Sequence, residues 1–253
     1  MTLRTFLSKV LRRTPLSYLP VTVRKGPAKG ARWTLLPFSY NWRQGGEGDV
    51  QQGLEMAGGL DGRVCWDFGA HFGIHTVGMA MLVGDRGQVA SFEPDQVAFR
   101  RLQYHVKLNE LSNVRLFEAA VSDHAGSERL IVSENLGSSC SHFQYEDETE
   151  PRGERTTVVS TVVADDLVSS GAIRLPDVIK VDVQGHAGKA LAGSLKSIQQ
   201  KRPIIIFSNH SSWELADTHR LLQPLGYRLR TPEGAAVDWE WLSTYGTAIL
   251  LPG

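Results

Sequence analysis

A regular alternation of short apolar segments with helical segments, from Val50 to Phe207, most constrains how this chain can fold. The apolar segments are continuous, as in strands that are buried on both faces of a sheet. They lie at residues 63–67, 88–92, 114–121, 178–182 and 204–207. Strands of this kind, joined by helices, predict a doubly wound α/β domain with a mostly parallel sheet.

Other strand-like segments flank this alternation. Residues 130–133 and 156–163 are strand-like and are separated by a polar insert at 135–154, while 227–230 and 247–250 can pair as a terminal antiparallel hairpin. Ligands of doubly wound sheets bind at the carboxyl ends of the strands, where the strand order reverses. The candidate functional residues are therefore those that follow the ends of the core strands.

The charge and cysteine content exclude several classes of protein. The formal net charge is zero over 253 residues, so no global basic field favours nucleic acid as a partner. Cys65 and Cys140 are the two cysteines, too few for a disulfide framework, which favours a reducing, cytoplasmic setting. No apolar run approaches the roughly 20 residues that a membrane-spanning helix needs.

The first 46 residues contain basic residues and no acidic one, which sets the segment 1–46 apart from a main domain at 47–253. Within residues 2–13, apolar side chains recur at helical spacing with arginine and lysine between them, which predicts a short basic amphipathic helix. Two interpretations stay open for this helix. It either makes a weak peripheral contact with an anionic membrane surface or docks on its own domain.

The segment Val64–Gly73, with the sequence Val-Cys-Trp-Asp-Phe-Gly-Ala-His-Phe-Gly, is the strongest local signal. A strand ends at Asp67, and Gly69 and Gly73 let a ligand approach the backbone where a Cβ atom would block it. The Gly-x-x-x-Gly spacing differs from the dinucleotide fingerprint. An acid at this strand end suits a cationic ligand such as S-adenosylmethionine. The alternative is that Asp67 caps the following helix.

A second acidic residue, Glu93, ends the next strand and is followed by Pro94, which favours the start of a helix. A carboxylate at this position can accept both hydroxyls of a ribose. Nicotinamide enzymes use an acid here too, so Glu93 predicts a ribose-containing ligand without distinguishing methylation from redox chemistry.

An ordered series of motifs resembles the FkbM-type methyltransferase family from about Val50 to Phe207. The motifs are Asp67-Phe-Gly-Ala-His-Phe-Gly73, Phe92-Glu-Pro94, Leu108-Asn109, Asn113-Val114, Ala119-Ala-Val-Ser-Asp123 with Gly126, and Val178-Ile-Lys-Val-Asp-Val-Gln-Gly185. The resemblance implies a Rossmann-like fold with a seven-stranded, mostly parallel sheet and an antiparallel C-terminal strand. It also implies S-adenosylmethionine as cofactor and O-methylation of a hydroxyl on a small metabolite, sugar or glycan.

The resemblance further assigns residues to parts of the cofactor. It implies that Glu93 binds the ribose. It places four residues near the methionine end, namely Asp67, Gly69, His71 and Gly73. It places Ala120 and Val121 near the adenine.

The match weakens where the family commonly has carboxylates. Its fourth strand usually continues Asp-Val-Glu-Gly and its fifth ends in glutamate, whereas this chain has Gln184 and Ser208. Either a histidine supplies the base that takes the alcohol proton, or transfer is impaired. The catalytic candidates are Asp182, His186 and His210. The alternative for Asp182 is that it caps a helix, and the alternative for each histidine is a purely structural role. His142 lies in the polar insert, which could cover the acceptor.

No metal site is predicted. Two competing functions remain beside methylation. A nicotinamide-dependent oxidoreductase is disfavoured because the chain lacks both Gly-x-Gly-x-x-Gly and a Tyr-x-x-x-Lys pair. A non-catalytic module that binds S-adenosylmethionine is consistent with the missing carboxylates.

Overall fold

The computed structural model describes residues 18–35, 41–132, 142–143, 155–242 and 246–253. The predicted helix at 2–13 and the side chains of the polar insert lie outside the described residues. The strands are β1 (Pro20–Thr22), β2 (Arg32–Thr34), β3 (Val64–Phe68), β4 (Gln88–Phe92), β5 (Val114–Phe117), β6 (Ala120–Val121), β7 (Gly126–Val132), β8 (His142–Phe143), β9 (Arg155–Val162), β10 (Val178–Val181), β11 (Ile204–Asn209), β12 (Arg228–Arg230), β13 (Ala236–Val237) and β14 (Gly246–Leu251). The helices are α1 (Asn41–Gln44), α2 (Gly48–Ala57), α3 (Ile74–Val83), α4 (Gln96–Leu108), α5 (Ala164–Ser169), α6 (Ala187–Ala192), α7 (Leu195–Lys201) and α8 (Ser212–Leu222), with a 3-10 turn at Gln223–Leu225.

The main sheet has the strand order β13-β12-β14-β11-β10-β3-β4-β5. Strands β5, β4, β3, β10 and β11 run parallel, and β14, β12 and β13 continue the sheet antiparallel. The doubly wound, Rossmann-like fold and its antiparallel C-terminal strand are therefore confirmed. The predicted number of seven strands is wrong, because the two-residue strand β13 pairs with β12 and is too short to produce a recognisable sequence pattern.

The order of the chain through the sheet reverses between β3 and β10. From β3 the chain moves outward to β4 and β5, and it later returns to place β10 on the other side of β3. The register pairs Lys180 with Asp67, one residue before β3 ends. The carboxyl ends of these strands thus form a topological switch point, which is where such sheets bind ligands.

Side chains alternate between the two faces of the sheet, as the pleat requires. Along β3, Trp66 and Phe68 join one apolar cluster with Phe92 and Phe207, whereas Cys65 joins a second cluster on the opposite face. Both faces are covered by helices, which explains the continuous apolar character of the strands. Helices α6 and α7 contribute to the first cluster and α2 and α3 to the second.

A separate four-stranded sheet, in the order β6-β9-β7-β8, lies beside the main one. The predicted strand at 114–121 is divided between the two sheets, because β5 pairs with β4 while β6 pairs with β9. Ala120 packs with Leu130 and Val159 inside this second sheet, and Val121 belongs to the core of the main sheet.

The described part of the N-terminal segment packs onto the main domain. Trp33 of β2 is fully buried and stacks on His105 of α4 with 3.5 Å between ring centroids. The boundary between residues 46 and 47 stays a prediction. None of the helices in the described ranges combines the length and the apolar content that crossing a membrane requires.

Candidate active site

A buried ion pair lies directly beneath the switch point. Asp67 Oδ1 accepts a hydrogen bond from Lys180 Nζ at 3.0 Å, and Asp67 Oδ2 accepts one from Thr76 Oγ1 at 2.6 Å. The Asp67 side chain has no exposed surface and that of Lys180 is 2% exposed. The cation that Asp67 faces in this structure is therefore Lys180, and the geometry gives Asp67 a supporting position rather than the expected direct contact with a cofactor.

Lys180 also contacts groups that follow the ends of β3 and β10. Its Nζ donates to the Gly69 carbonyl oxygen at 3.0 Å and lies 3.8 Å from Asp182 Oδ2. Burial by itself would lower the pKa of Lys180, but the negative charges of Asp67 and Asp182 outweigh it and raise that pKa. Lys180 thus stays protonated and holds two strand ends together.

The glycine-rich turn needs its glycines for packing. Gly69 and Gly73 have φ values of 76° and 87°, which disfavour other residues. A Cβ atom on Gly69 would lie 1.9 Å from the Asp182 carbonyl oxygen, and one on Gly73 would lie 2.3 Å from Leu102 Cδ1. The expectation that the missing Cβ atoms leave room for a ligand is corrected here, because protein atoms occupy both directions.

Glu93 is fixed at the end of β4 by the backbone around it. Its Oε2 accepts from the His71 N–H at 2.7 Å and its Oε1 accepts from the Asp95 N–H at 2.9 Å. Burial raises the pKa of Glu93 to about 7. A carboxylate offers about four acceptor positions, so two backbone donors leave capacity for ribose hydroxyls. The geometry is compatible with the predicted ribose contact.

His71 lies in the middle of the switch point. Its backbone is left-handed with φ 50°, and its ring stacks on Phe72 with 3.9 Å between centroids. Burial lowers the pKa of His71 to about 4, against the opposing negative charges of Glu47, Asp182 and Asp95. His71 is therefore neutral near pH 7 and is surrounded by carboxylates from three different segments.

The residues expected to meet the adenine are occupied by packing. Ala120 is 6% exposed and Val121 is 2% exposed, and both belong to apolar clusters. The nearby strand ends instead carry a stacked pair, Phe92 and Phe117, with 4.8 Å between ring centroids. The adenine contacts of Ala120 and Val121 therefore stay a prediction, and their side chains are buried.

An Asp–His pair follows β10 and β11. Asp182 Oδ1 lies 2.7 Å from His210 Nε2, and the two side chains are 22% and 24% exposed. Burial would raise the pKa of Asp182, but Lys180 and His210 lower it to about 2. Burial would lower the pKa of His210, but the hydrogen bond to Asp182 raises it. An ionised carboxylate only accepts, so His210 Nε2 carries a proton and Nδ1 bears the lone pair of the neutral ring.

Glu214 of α8 anchors this pair. Its Oε2 accepts from the His210 N–H at 2.8 Å, and its Oε1 accepts from the N–H groups of Gly185 and Ala187 at 3.0 and 3.1 Å. Gln184, in the same turn, has φ 48° and approaches His210 Nε2 at 3.3 Å. A single buried carboxylate thus fixes the loops that follow both β10 and β11.

His186 belongs to a different cluster from Asp182 and His210. It is 4% exposed, and its Nδ1 lies 3.8 Å from Glu128 Oε2. Burial lowers the pKa of His186 to about 4. Asp123, His124 and Glu128 lie close enough together to hold a metal ion, but the Lys189 ammonium lies 3.1 Å from Glu128 Oε1. The structure does not bring His186 to the predicted catalytic edge.

Sequence reasoning missed three charged residues of this site. Lys180 had a readable signal, since it is a charged residue inside an apolar strand, and such residues are rarely buried unless paired. Glu214 had a weaker signal, because it lies three residues after Ser211, which is the spacing of a capping box at the start of a helix. Glu47 precedes the first helix of the main domain and showed no signal of its own.

The strand order and the charged groups at the switch point are typical of doubly wound α/β proteins that bind a ligand at the carboxyl ends of their strands. Residues 67–229 match the family model of the methyltransferase FkbM domain. The match spans more than half of the chain, so the chain belongs to the FkbM methyltransferase family. This finding confirms the predicted family and enzyme class, whose methyl donor is S-adenosylmethionine, and the nicotinamide alternative is not retained.

The chain is also similar to several individual proteins. The hexuronic acid methyltransferase AglP of Haloferax volcanii is 27% identical over 202 residues, which is 76% of this chain and 75% of AglP. The crystal structure of methyltransferase FkbM from Methylobacillus flagellatus KT has a TM-score of 0.49 and 19% identity, and the match covers 75% of this chain. This chain spans 43% of the length of that crystallised protein. A putative O-methyltransferase from Klebsiella pneumoniae has a TM-score of 0.45 and 14% identity over 81% of this chain and 79% of that one.

Proposed function

We propose that this protein transfers the methyl group of S-adenosylmethionine to a hydroxyl oxygen of a sugar, in a glycan or small molecule that contains a hexuronic acid. Family membership supports the methyl donor, and the name of AglP supports the acceptor class. The observation that carries the choice of a hydroxyl is the Asp182–His210 pair, because a hydroxyl must lose a proton to become a nucleophile.

The donor set at the switch point fits this cofactor. Glu93 offers a fixed carboxylate for the ribose hydroxyls, and the acidic groups around His71 suit a ligand that carries a sulfonium and an ammonium group. The cofactor supplies an electrophilic methyl group when bound. Asp67, Gly69 and Gly73 contribute by shaping and holding the turn.

The chain's own residues then prepare the acceptor. Lys180 keeps Asp182 ionised, and Asp182 in turn keeps the proton on His210 Nε2. His210 Nδ1 is therefore the atom that accepts the hydroxyl proton, and Asp182 stabilises the imidazolium that forms. Glu214 fixes the backbone of His210, so that the base is positioned before the acceptor arrives.

The nature of the product tests this proposal. The protein is incubated with S-adenosylmethionine and either methyl glucuronide or methyl glucoside, and mass spectrometry follows the gain of one methylene. We expect methylation of the glucuronide at a hydroxyl, which gives an ether that survives mild alkali. An alkali-labile product would instead show transfer to the sugar carboxylate, which needs no base, and would contradict the role of His210.

The non-catalytic alternative is tested by a binding measurement together with a broader set of acceptors. Calorimetric binding of S-adenosylhomocysteine without turnover on a broad panel of hydroxyl-bearing sugars would support a binding module, as the missing family carboxylates at Gln184 and Ser208 allow. Turnover on any of these sugars would exclude it.

A further inference from the structure

Glu47 presents a carboxylate at the switch point from outside the family-matched region. Its Oε2 lies 2.5 Å from Nε2 of His75, which is in the first turn of α3, directly after the glycine-rich turn. The Glu47 side chain is nevertheless 62% exposed, whereas that of His75 is 6% exposed. Glu47 is therefore an anchored carboxylate that still faces solvent above the start of α3.

The position of Glu47 is not explained by helix capping. It is the N-cap residue of α2, yet its side chain makes no capping hydrogen bond. Serine, threonine, asparagine and aspartate are the residues usually selected for that role. The side chain instead contacts His75 in the first turn of α3, and its charge affects the pKa of His71. The hydrogen bond from His75 and the charge of Lys180 help to lower the pKa of Glu47 to about 2, so it is ionised.

The backbone that leads into Glu47 is held from three sides. Gln51 Nε2 donates to the Gly46 carbonyl oxygen at 3.0 Å. Gly45 has φ 80°, and a Cβ atom there would lie 2.0 Å from the Lys25 carbonyl oxygen. A Cβ atom on Gly46 would lie 2.5 Å from the His75 ring. Such packing fixes the loop and makes the carboxylate a preorganised group.

The other carboxylates of the site are more completely used by the protein. Asp67 is enclosed and bound by Lys180 and Thr76. Glu93 is buried and accepts two backbone N–H groups, and Asp182 is paired with His210. The methionine end of S-adenosylmethionine carries an ammonium group, which needs an accessible acceptor with negative charge.

We infer that Glu47 binds the ammonium group of the methionine end of the cofactor, the role that the sequence pattern assigned to Asp67. The inference rests on the proposed function, since it requires that S-adenosylmethionine occupies the switch point. His75 acts as the positioning residue that orients Glu47, and the buried Asp67–Lys180 pair supports the turn beneath.

Two cofactor fragments separate this role from a general effect on the site. S-Adenosylhomocysteine contains the ammonium group, and 5′-methylthioadenosine lacks the amino acid portion but keeps ribose and adenine. Calorimetry is performed with both ligands on the wild-type protein and on Glu47→Gln. Loss of one charge-assisted hydrogen bond predicts that Glu47→Gln weakens S-adenosylhomocysteine about 10- to 100-fold and leaves 5′-methylthioadenosine unchanged.

Matched controls come from the same chain. Glu55→Gln removes an exposed carboxylate from the other end of α2 and should leave both affinities unchanged. Glu93→Ala should weaken both ligands, because both contain the ribose. A further measurement on the wild-type protein uses S-adenosylhomocysteine without its amino group, which should bind at least as weakly as S-adenosylhomocysteine binds to Glu47→Gln, because glutamine keeps an acceptor oxygen.

The outcomes distinguish the inference from the proposed function. Equal affinity of Glu47→Gln and wild type for S-adenosylhomocysteine would overturn the inference, as would an equal loss for both ligands. The proposed function would survive either result. Failure of the wild-type protein to bind S-adenosylhomocysteine at all would overturn both.

Discussion

Replacement of Lys180 by methionine should destabilise the protein more than any surface charge removal. The substitution keeps the apolar length of the side chain and removes the ammonium that Asp67 contacts at 3.0 Å. Asp67 has no exposed surface, so its carboxylate would be left buried without a counter-charge. Breaking a buried pair in this way costs about 3–5 kcal/mol. Because the free energy of unfolding of a domain is about 5–15 kcal/mol, this loss is a large fraction of the stability of the protein.

The assay is urea denaturation of Lys180→Met at neutral pH, followed by tryptophan fluorescence. Trp66 lies next to Asp67 in β3 and is fully buried, so it contributes to the change in the fluorescence of the six tryptophans when this sheet unfolds. Lys201→Met is the matched control. Lys201 Nζ lies 3.1 Å from Asp177 Oδ1, but its side chain is 43% exposed. A solvent-exposed pair of this kind contributes about 0–1 kcal/mol.

The double variant Lys180→Met with Asp67→Asn completes the test. Lys180→Met leaves the buried Asp67 carboxylate without its cation, and Asp67→Asn leaves Lys180 with only the more distant Asp182, whereas the double variant removes both charges of the pair. Its loss of stability should therefore be smaller than the sum of the two single losses. The reasoning would be refuted if Lys180→Met cost no more than Lys201→Met, or if the two single losses simply added.

Four further predictions concern catalysis, binding and the glycine-rich turn. His210→Ala should lower kcat by about 10²–10⁴-fold. Asp182→Asn should shift the acid limb of the pH–rate profile to lower pH, because the hydrogen bond and charge of Asp182 raise the pKa of His210 while burial lowers it. Calorimetry with S-adenosylhomocysteine should show affinity falling as the pH drops below the Glu93 pKa of about 7, since protonation removes the charged acceptor, and a flat profile in the wild type would contradict this. Gly69→Ala should destabilise more than Gly171→Ala in urea, because both have positive φ but only Gly69 meets a carbonyl oxygen at 1.9 Å. Gly171→Ala should cost about 1–2 kcal/mol, and equal losses would contradict the packing role.

Strand periodicity predicted most of the sheet and the position of two site residues. Glu93 and Asp182 directly follow core strands, and parallel strands present their carboxyl ends at one edge, so the sequence placed both at the switch point. The predicted strand at 114–121 was divided because Ala120 and Val121 follow a break and pair with β9. Such pairing depends on a distant segment, and no local pattern reveals it.

The buried residues that contact the site from distant parts of the chain could not be predicted in the same way. Lys180 reaches Asp67 because β10 lies beside β3 in a register that pairs these residues, although they are far apart in the chain. Likewise, the glycine-rich turn was correctly located, but its Cβ directions depend on Asp182 and Leu102, which arrive from other elements. Sequence spacing identifies a turn that needs glycine, and it does not reveal which atoms make the glycine necessary.

The positions where this chain departs from the family pattern change the charge at the strand ends, and this change fits the proposed acceptor. Around the proposed acceptor, the positions that commonly hold carboxylates in the family are Gln184 and Ser208 in this chain. A hexuronic acid is itself an anion. Two like charges at about 4 Å repel by about 1–4 kcal/mol, depending on how much water screens them. In the proposed complex, neutral residues at these two positions would therefore spare an anionic sugar the repulsion that the family's usual carboxylates would cause, and the ionised Glu47 would keep negative charge for the cationic cofactor.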